Sequence, residues 1–354
     1  MSKKLIVFTG GGSAGHVTPN IAIINEINHS KWDIHYIGSK KGIEKELIAN
    51  LNIPYYGISS GKLRRYIDFE NVKDIFRVIK GCIQARSTLK KLKPHLVFSK
   101  GGFVSVPVII AARSLKIPIF IHESDMTPGL ANKISQRFAT KIFTSFEETK
   151  KFFPENKTTV IGSPIRKEIL NGSASRGRAF LNFDVKRPIL TIMGGSLGSK
   201  KINEMVRDSL DKLTVNYQIV HLCGKGNINK ELLNIPGYKQ FEYINEELPD
   251  ILAATNMVIT RGGSNAIFEF LALQIPMLII PLTKQQSRGD QILNAKSFEE
   301  KGYSLTLEEE DLTKESLLKS LEKVQNNKEA YKTAMKTSVQ GNALQILVNE
   351  ISKY

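Results

Sequence analysis

Residues 4–20 read KLIVFTGGGSAGHVTPN: a short apolar run enters Thr9 and a glycine cluster, and a helix-length segment from Gly15 to Asn28 follows. Strand, glycine turn and helix in that order open a βαβ unit. Gly10, Gly12 and Gly15 satisfy G-x-G-x-x-G in the context that gives the pattern meaning as a phosphate cradle. Outward from this stretch the alternation continues with DIHYIGS at 33–39, a helical segment at 42–51, and strands at 95–99, 117–123 and 141–145. This predicts one doubly wound parallel sheet ending near residue 163. After a stretch rich in Ser, Gly and Arg at 171–178, PILTIMGGS (188–196) restarts the pattern, with further strands at 217–224, 257–263 and 276–282 and a helical tail over 317–352. The expected fold is α/β: two Rossmann-like doubly wound domains, 1–163 and 164–354, facing a central cleft lined by the glycine turns, because ligands of such sheets bind outside the carboxyl ends of the strands.

The chain of 354 residues exceeds what one core organises, and 41% hydrophobic with 24% charged residues is ordinary globular usage. The opening apolar run is too short for a signal-peptide core, and the most apolar long segment, 103–121, is interrupted by Arg113, Lys116 and two prolines. Neither export nor a bilayer span is expected. Cys82 and Cys223 lie far apart, which excludes a disulfide framework or a cysteine zinc site and suits a reducing cytoplasm.

A net charge of +16 favours anionic partners. Eleven Lys or Arg against three acids fall between Lys62 and Lys100, about half of the excess, so the charge is a patch. One Trp and no interleaved basic and aromatic motif argue against nucleic acid. From Val72 the sequence repeats apolar residues at Ile75, Phe76, Ile79 and Ile83, with Lys73, Arg77 and Lys80 interspersed, an amphipathic helix running to Leu92. Its stripe either packs into the core or, with the basic excess and KLRRY at 62–66, holds the protein on anionic lipid.

A dinucleotide-binding oxidoreductase would end its second strand in an acid that holds the ribose, whereas DIHYIGS ends in Gly38 and Ser39. Two more glycine loops, KGGFVSVP (100–107) and MGGSLGSKKIN (193–203), follow strands and open toward helices. Unpaired N–H groups at such helix starts suit diphosphate oxygens, so the three loops together point to a nucleotide diphosphate-sugar.

At GGGSAGHVTP (10–19), SKGGFVSVP (99–107), IHESDMTPGLANK (121–133), IGSPIR (161–166), GGSLGSKKIN (194–203) and RGGSNAIFE (261–269), the chain resembles the MurG glycosyltransferases. The motifs run in family order over nearly its whole length. The resemblance implies a GT-B fold and an inverting hexosyl transfer of N-acetylglucosamine from UDP to undecaprenyl-diphosphate-linked N-acetylmuramyl-pentapeptide, turning lipid I into lipid II for peptidoglycan. It implies a peripheral place on the cytoplasmic side of the anionic inner membrane, and leaves open partners in the cell-wall or division machinery. It assigns Ser13, Ala14, Gly15, Arg166, Ser196, Ile244, Ser264, Glu269 and Gln291 to UDP-N-acetylglucosamine, with Glu269 as ribose clamp and Gln291 on the sugar. Where related enzymes often carry HEQN, this chain has His122, Glu123, Ser124 and Asp125.

Inverting transfer needs a base near the acceptor hydroxyl and donors on the leaving diphosphate. His16 is the preferred base; it could also simply shape its loop. Arg166, expected in a tight turn between the domains, would bind a phosphate or sugar oxygen or form a hinge salt bridge. Glu269 would accept from the ribose hydroxyls or complement a helix dipole. His122, Glu123 and Asn132 would organise the acceptor side, the first two alternatively forming a satisfied buried pair. No DxD-like carboxylate motif falls at the expected cleft, so no metal or other cofactor is expected. The alternative enzyme of this fold is a UDP-N-acetylglucosamine 2-epimerase, which has the same donor and no lipid acceptor.

Overall fold

Lys4–Thr9 (β1) is an interior strand of a seven-stranded parallel sheet with Trp32–Ser39 (β2), Tyr55–Ile58 (β3), Leu96–Ser99 (β4), Ile119–Glu123 (β5), Lys141–Thr144 (β6) and Thr158–Val160 (β7), in the order β3-β2-β1-β4-β5-β6-β7. This computed structural model describes residues 3–61, 69–195, 197–338 and 342–354, residues 69–73 by their backbone alone. Lys62, Arg64 and Arg65, the side chains of Val72 and Lys73, and Ser196 lie outside the described residues.

Successive side chains of β1 point to opposite faces, and both faces are apolar, as a strand buried between two helical layers requires. Ile6 and Phe8 enter one core with Tyr36 and Phe98, and Val7 enters the other with Val97, Ile121 and Val108. The first core is closed by Ala343, Leu347 and Ile351, one stripe of the helix Ala343–Ser352. An ion pair between Lys141 and Glu350, and an edge-on contact of Tyr354 with Phe120 at 5.1 Å between ring centroids, tie that helix down.

A second six-stranded parallel sheet is built from Ile189–Met193 (β8), Gln218–Leu222 (β9), Tyr238–Phe241 (β10), Met257–Thr260 (β11), Met277–Ile279 (β12) and Ser304–Thr306 (β13), in the order β10-β9-β8-β11-β12-β13. The first six strands of the first sheet, β3-β2-β1-β4-β5-β6, follow the same order and β7 adds one edge strand, so each sheet reverses direction beside its first strand, where open α/β sheets bind ligands. The expected pair of doubly wound sheets is present. The chain divides into Met1–Ile165 with Asn342–Tyr354, and Arg166–Gly341. The division falls two residues past the expected boundary, and the last 13 residues sit with the first unit. The helical tail is three helices, Lys314–Asn326, Lys328–Lys336 and Ala343–Ser352.

Among the described residues no helix is long and apolar enough to cross a membrane. In the helix Phe69–Leu92, Asp74, Ala85 and Leu89 face inward, while Ile75 (52% exposed), Phe76 (69%), Ile79 (50%) and Ile83 (67%) stand in solvent. The stripe that periodicity alone would send into a core is therefore uncovered.

Candidate active site

In the first unit the chain leaves β1 through Gly10–Ser13 into a single 3-10 turn, Ala14–His16, and then the helix Thr18–Glu26. His16 therefore precedes the helix instead of beginning it. Its Nδ1 lies 3.1 Å from the main-chain oxygen of Lys100. A carbonyl oxygen only accepts, so Nδ1 carries the proton and the lone pair of the neutral ring is on Nε2.

Lys100, counted from sequence in a surface patch, is 2% exposed. Its Nζ donates to His122 Nδ1 and to Ser124 Oγ. Burial drives its pKa down to about 7 against the charges of Glu123 and Asp125. His122 donates from Nε2 to the oxygen of Gly162 at 3.1 Å, and burial, with Lys100 beside it, holds its pKa well below the ordinary range. Glu123 accepts from the main-chain nitrogens of Asp125 (3.1 Å) and Gly129 (3.0 Å) and from Asn132 Nδ2 (2.9 Å); burial and Asp125 push its pKa up. Asn132 Nδ2 also reaches the oxygen of His122 at 3.2 Å. All three residues expected on the acceptor side are buried, and Asn132 Nδ2 links His122 to Glu123, while Asn132 Oδ1 has no hydrogen-bond partner among the described residues.

Close glycine packing occurs in both units, since in the second a Cβ on Gly194, Gly198, Gly224 or Gly262 would lie 1.9–2.8 Å from a backbone atom. In the first, a Cβ on Gly11 would lie 2.5 Å from the carboxyl carbon of Glu44, one on Gly12 2.5 Å from Phe103, and one on Gly102 2.1 Å from the oxygen of Gly11. Here glycine is needed for close packing. In the second unit, Gly195, Gly226 and Gly263, after β8, β9 and β11, have nothing within 4 Å of such a Cβ. Their backbone borders open space, the condition for approach by a ligand.

Beside Gly263 the helix Ser264–Ala272 begins, with Ser264 buried at its start. Glu269 lies in the second turn of this helix instead of at its start, which removes the helix-dipole alternative, because that interaction fades within the first turn. Glu269 Oε1 is 3.4 Å from Arg166 Nη2. Burial raises the Glu269 pKa against the pull of Arg166. Arg166 belongs to the second unit, and its buried Nε has no hydrogen-bond partner among the described residues. Gln291, on the helix Asp290–Glu300, accepts from the main-chain nitrogen of Leu282 at 3.1 Å. Ile244 is buried in the turn after β10.

Two domain models match the chain: the glycosyltransferase family 28 N-terminal domain over residues 6–144 and the glycosyltransferase family 28 C-terminal domain over residues 189–351. A Bacillus cereus protein named UDP-N-acetylglucosamine–N-acetylmuramyl-(pentapeptide) pyrophosphoryl-undecaprenol N-acetylglucosamine transferase 2 is 59% identical over 350 residues, 99% of each chain. The chain belongs to the MurG glycosyltransferases of family 28. The crystal structure of Acinetobacter baumannii MurG superposes with a TM-score of 0.77 at 24% identity over 100% of both chains, and shares the GT-B fold. A UDP-GlcNAc 2-epimerase from Methanocaldococcus jannaschii superposes at 0.65 with 18% identity over 100% of both chains, a likeness of fold alone.

Within this MurG-family chain, Arg166, Ile244, Ser264, Glu269 and Gln291 lie in the second unit, while Ser13, Ala14, Gly15, His16, His122, Glu123 and Asn132 lie in the first. Two supporting residues escaped the sequence reading. Arg261 is buried, pairs with Glu309, and donates to Ser199 Oγ (2.5 Å) and to the oxygens of Ile280 (3.1 Å) and Pro281 (3.2 Å), joining three loops at the carboxyl edge of the second sheet. Glu44, fully buried, accepts from Gly12 N (3.2 Å), Ser39 N (2.9 Å) and Ser39 Oγ (2.5 Å). The first cradle already contains a carboxylate. A charged residue where helical spacing suggests solvent carried no signal of this in sequence.

Proposed function

We infer that this chain transfers N-acetylglucosamine from UDP-N-acetylglucosamine to the 4-hydroxyl of the muramyl sugar in undecaprenyl-diphosphate-linked N-acetylmuramyl-pentapeptide. The observation that carries the reading is the 59% identity, end to end, with the Bacillus cereus transferase of that name. In the reaction the acceptor oxygen bonds to the sugar C1, its proton passes to His16 Nε2, and the bond from C1 to the β-phosphate oxygen breaks, UDP leaving with the electron pair. The Lys100 carbonyl supports His16 in this role by holding the tautomer whose Nε2 accepts.

The second unit, residues 166–341, is the donor domain in this reading, favoured by its open glycines. N–H groups about Gly195 and at the start of Ser264–Ala272 receive the diphosphate, Arg166 supplies its unpaired Nε, and Glu269 takes the ribose hydroxyls. The first unit carries the base and meets the acceptor. Its outward stripe of Ile75, Phe76, Ile79 and Ile83, beside the exposed Lys80, is the surface that rests on anionic lipid.

Release of UDP from UDP-N-acetylglucosamine, followed with and without a short-chain lipid acceptor, tests the function. Release that requires acceptor is expected; release independent of acceptor, with N-acetylmannosamine formed, would replace the transferase by an epimerase.

A further inference from the structure

The first glycine-rich loop has the spacing of a phosphate cradle, yet the anion it holds belongs to the protein. We propose that Glu44 is a positioning residue for the transfer: its carboxylate occupies the seat that the fingerprint would give a phosphate and fixes Gly12, so that His16, four residues on, keeps its hydrogen bond to Lys100. The proposal rests on the reading of His16 as base.

Glu44 lies in the helix Ile43–Ala49 and is 0% exposed. One carboxylate oxygen takes Ser39 N and Ser39 Oγ at the end of β2, and the other takes the N–H of Gly12. A single side chain therefore bolts the loop to the sheet edge. The anchor is itself held, since Tyr55 OH donates to the oxygen of Ser39 at 2.5 Å. On the other side of the loop, Tyr36 OH donates to the oxygen of Gly10 at 2.8 Å, and Asn20 Nδ2 donates to Tyr36 OH (3.1 Å) and to the oxygen of Thr9 (3.2 Å).

Space leads to the same assignment. Gly11 rests on the Glu44 carboxyl, Gly12 on the Phe103 ring, and Gly102 on the oxygen of Gly11, so the turn is gripped between Glu44 and the 100–103 loop. A phosphate at Gly12 N would have to displace a buried carboxylate of the same sign. The loop thus presents His16 to the reaction and leaves the donor diphosphate to the open glycines of the second unit.

The test is E44Q in the full-length protein. The carboxamide keeps its size and an oxygen for Ser39 but turns an NH2 group against the Gly12 N–H. Two readouts are taken: kcat and KM for UDP-N-acetylglucosamine, and amide exchange of residues 10–17 by mass spectrometry. The expected result is kcat lower by at least ~10-fold, KM within about twofold, and faster exchange in the loop while β1 stays protected. Should E44Q fail to fold, E44D, which keeps the charge but stops one methylene short, is read the same way, with a smaller loss of kcat and unchanged KM. A several-fold change in KM with kcat retained would put the donor diphosphate at this loop and overturn the proposal, as would unchanged kcat with unchanged exchange. Absence of acceptor-dependent turnover in the unmutated protein would remove the transferase reading alone, because the exchange readout still judges the grip of Glu44 on the loop.

Discussion

His16 Nδ1 lies 3.1 Å from the main-chain oxygen of Lys100, a residue 84 positions away in sequence. The contact sets the tautomer of the ring and joins the first glycine loop to the second. H16A should lower kcat by about 10²- to 10⁴-fold, the usual worth of a positioned base, with little change in KM for UDP-N-acetylglucosamine. Steady-state kinetics with acceptor saturating checks this; retained turnover would remove His16 from the mechanism.

Adjacent glycines before the helix Ser264–Ala272 should fail differently. A Cβ on Gly262 would lie 2.4 Å from the oxygen of Gln291, whereas one on Gly263 meets nothing within 4 Å. G262A should destabilise the protein by about 1–3 kcal/mol. G263A should melt like the parent and raise the donor KM several-fold, because the added methyl enters the space assigned to the diphosphate. Thermal melts with donor titrations separate the two; a normal donor KM in G263A would move the diphosphate elsewhere.

The exposed stripe predicts membrane behaviour. F76E and I79E each remove a side chain whose burial in lipid is worth about 1.5–3 kcal/mol, so either should weaken binding to anionic vesicles by roughly 10-fold or more. UDP-N-acetylglucosamine binding in solution should be unchanged. Sedimentation with vesicles measures the first; vesicle binding equal to the parent would leave the stripe without this role.

Stability should fall in acid through His221. Its ring is buried between Tyr238 OH (2.8 Å) and Asn203 Oδ1 (2.9 Å), and burial, with the Arg207 charge, lowers its pKa to about 3. The unfolded chain binds this proton near pH 6.5 and the folded chain only near 3. Its contribution is therefore intact above pH 6.5 and lost as pH falls toward 3, on the order of 5 kcal/mol in all. Denaturant titrations from pH 7 to 4 should show a shallower decline for H221Q than for the parent; equal slopes would contradict the buried neutral ring.

Nine of the 13 strands among the described residues were legible in sequence, and the four that were not, YYGI (55–58), TTV (158–160), YKQF (238–241) and SLT (304–306), are the edge strands of the two sheets. An edge strand of a parallel sheet is not sandwiched by helices along its whole width, so it needs no continuous apolar run and gives no strong pattern. The site divides in the same way. Loops announced by glycine were found, but whether a glycine serves packing, as at Gly12, or faces space, as at Gly263, depends on what lies opposite in three dimensions. Lys100 counts toward a basic surface patch in sequence and Glu44 carries no signal there at all; only the fold buries them. The helix Phe69–Leu92 shows the converse, since periodicity reveals an apolar stripe but not whether anything covers it.

The central claim is the transfer of N-acetylglucosamine to a lipid-linked muramyl sugar. The most direct measurement incubates the protein with UDP-N-acetylglucosamine and a short-chain lipid I analogue, then determines mass and anomeric linkage of the lipid product by mass spectrometry and NMR. The account predicts one added N-acetylglucosamine, β-linked to the muramyl 4-oxygen, as inversion of the α-linked donor requires. An unmodified acceptor alongside consumed donor, or an α-linked product, would contradict it.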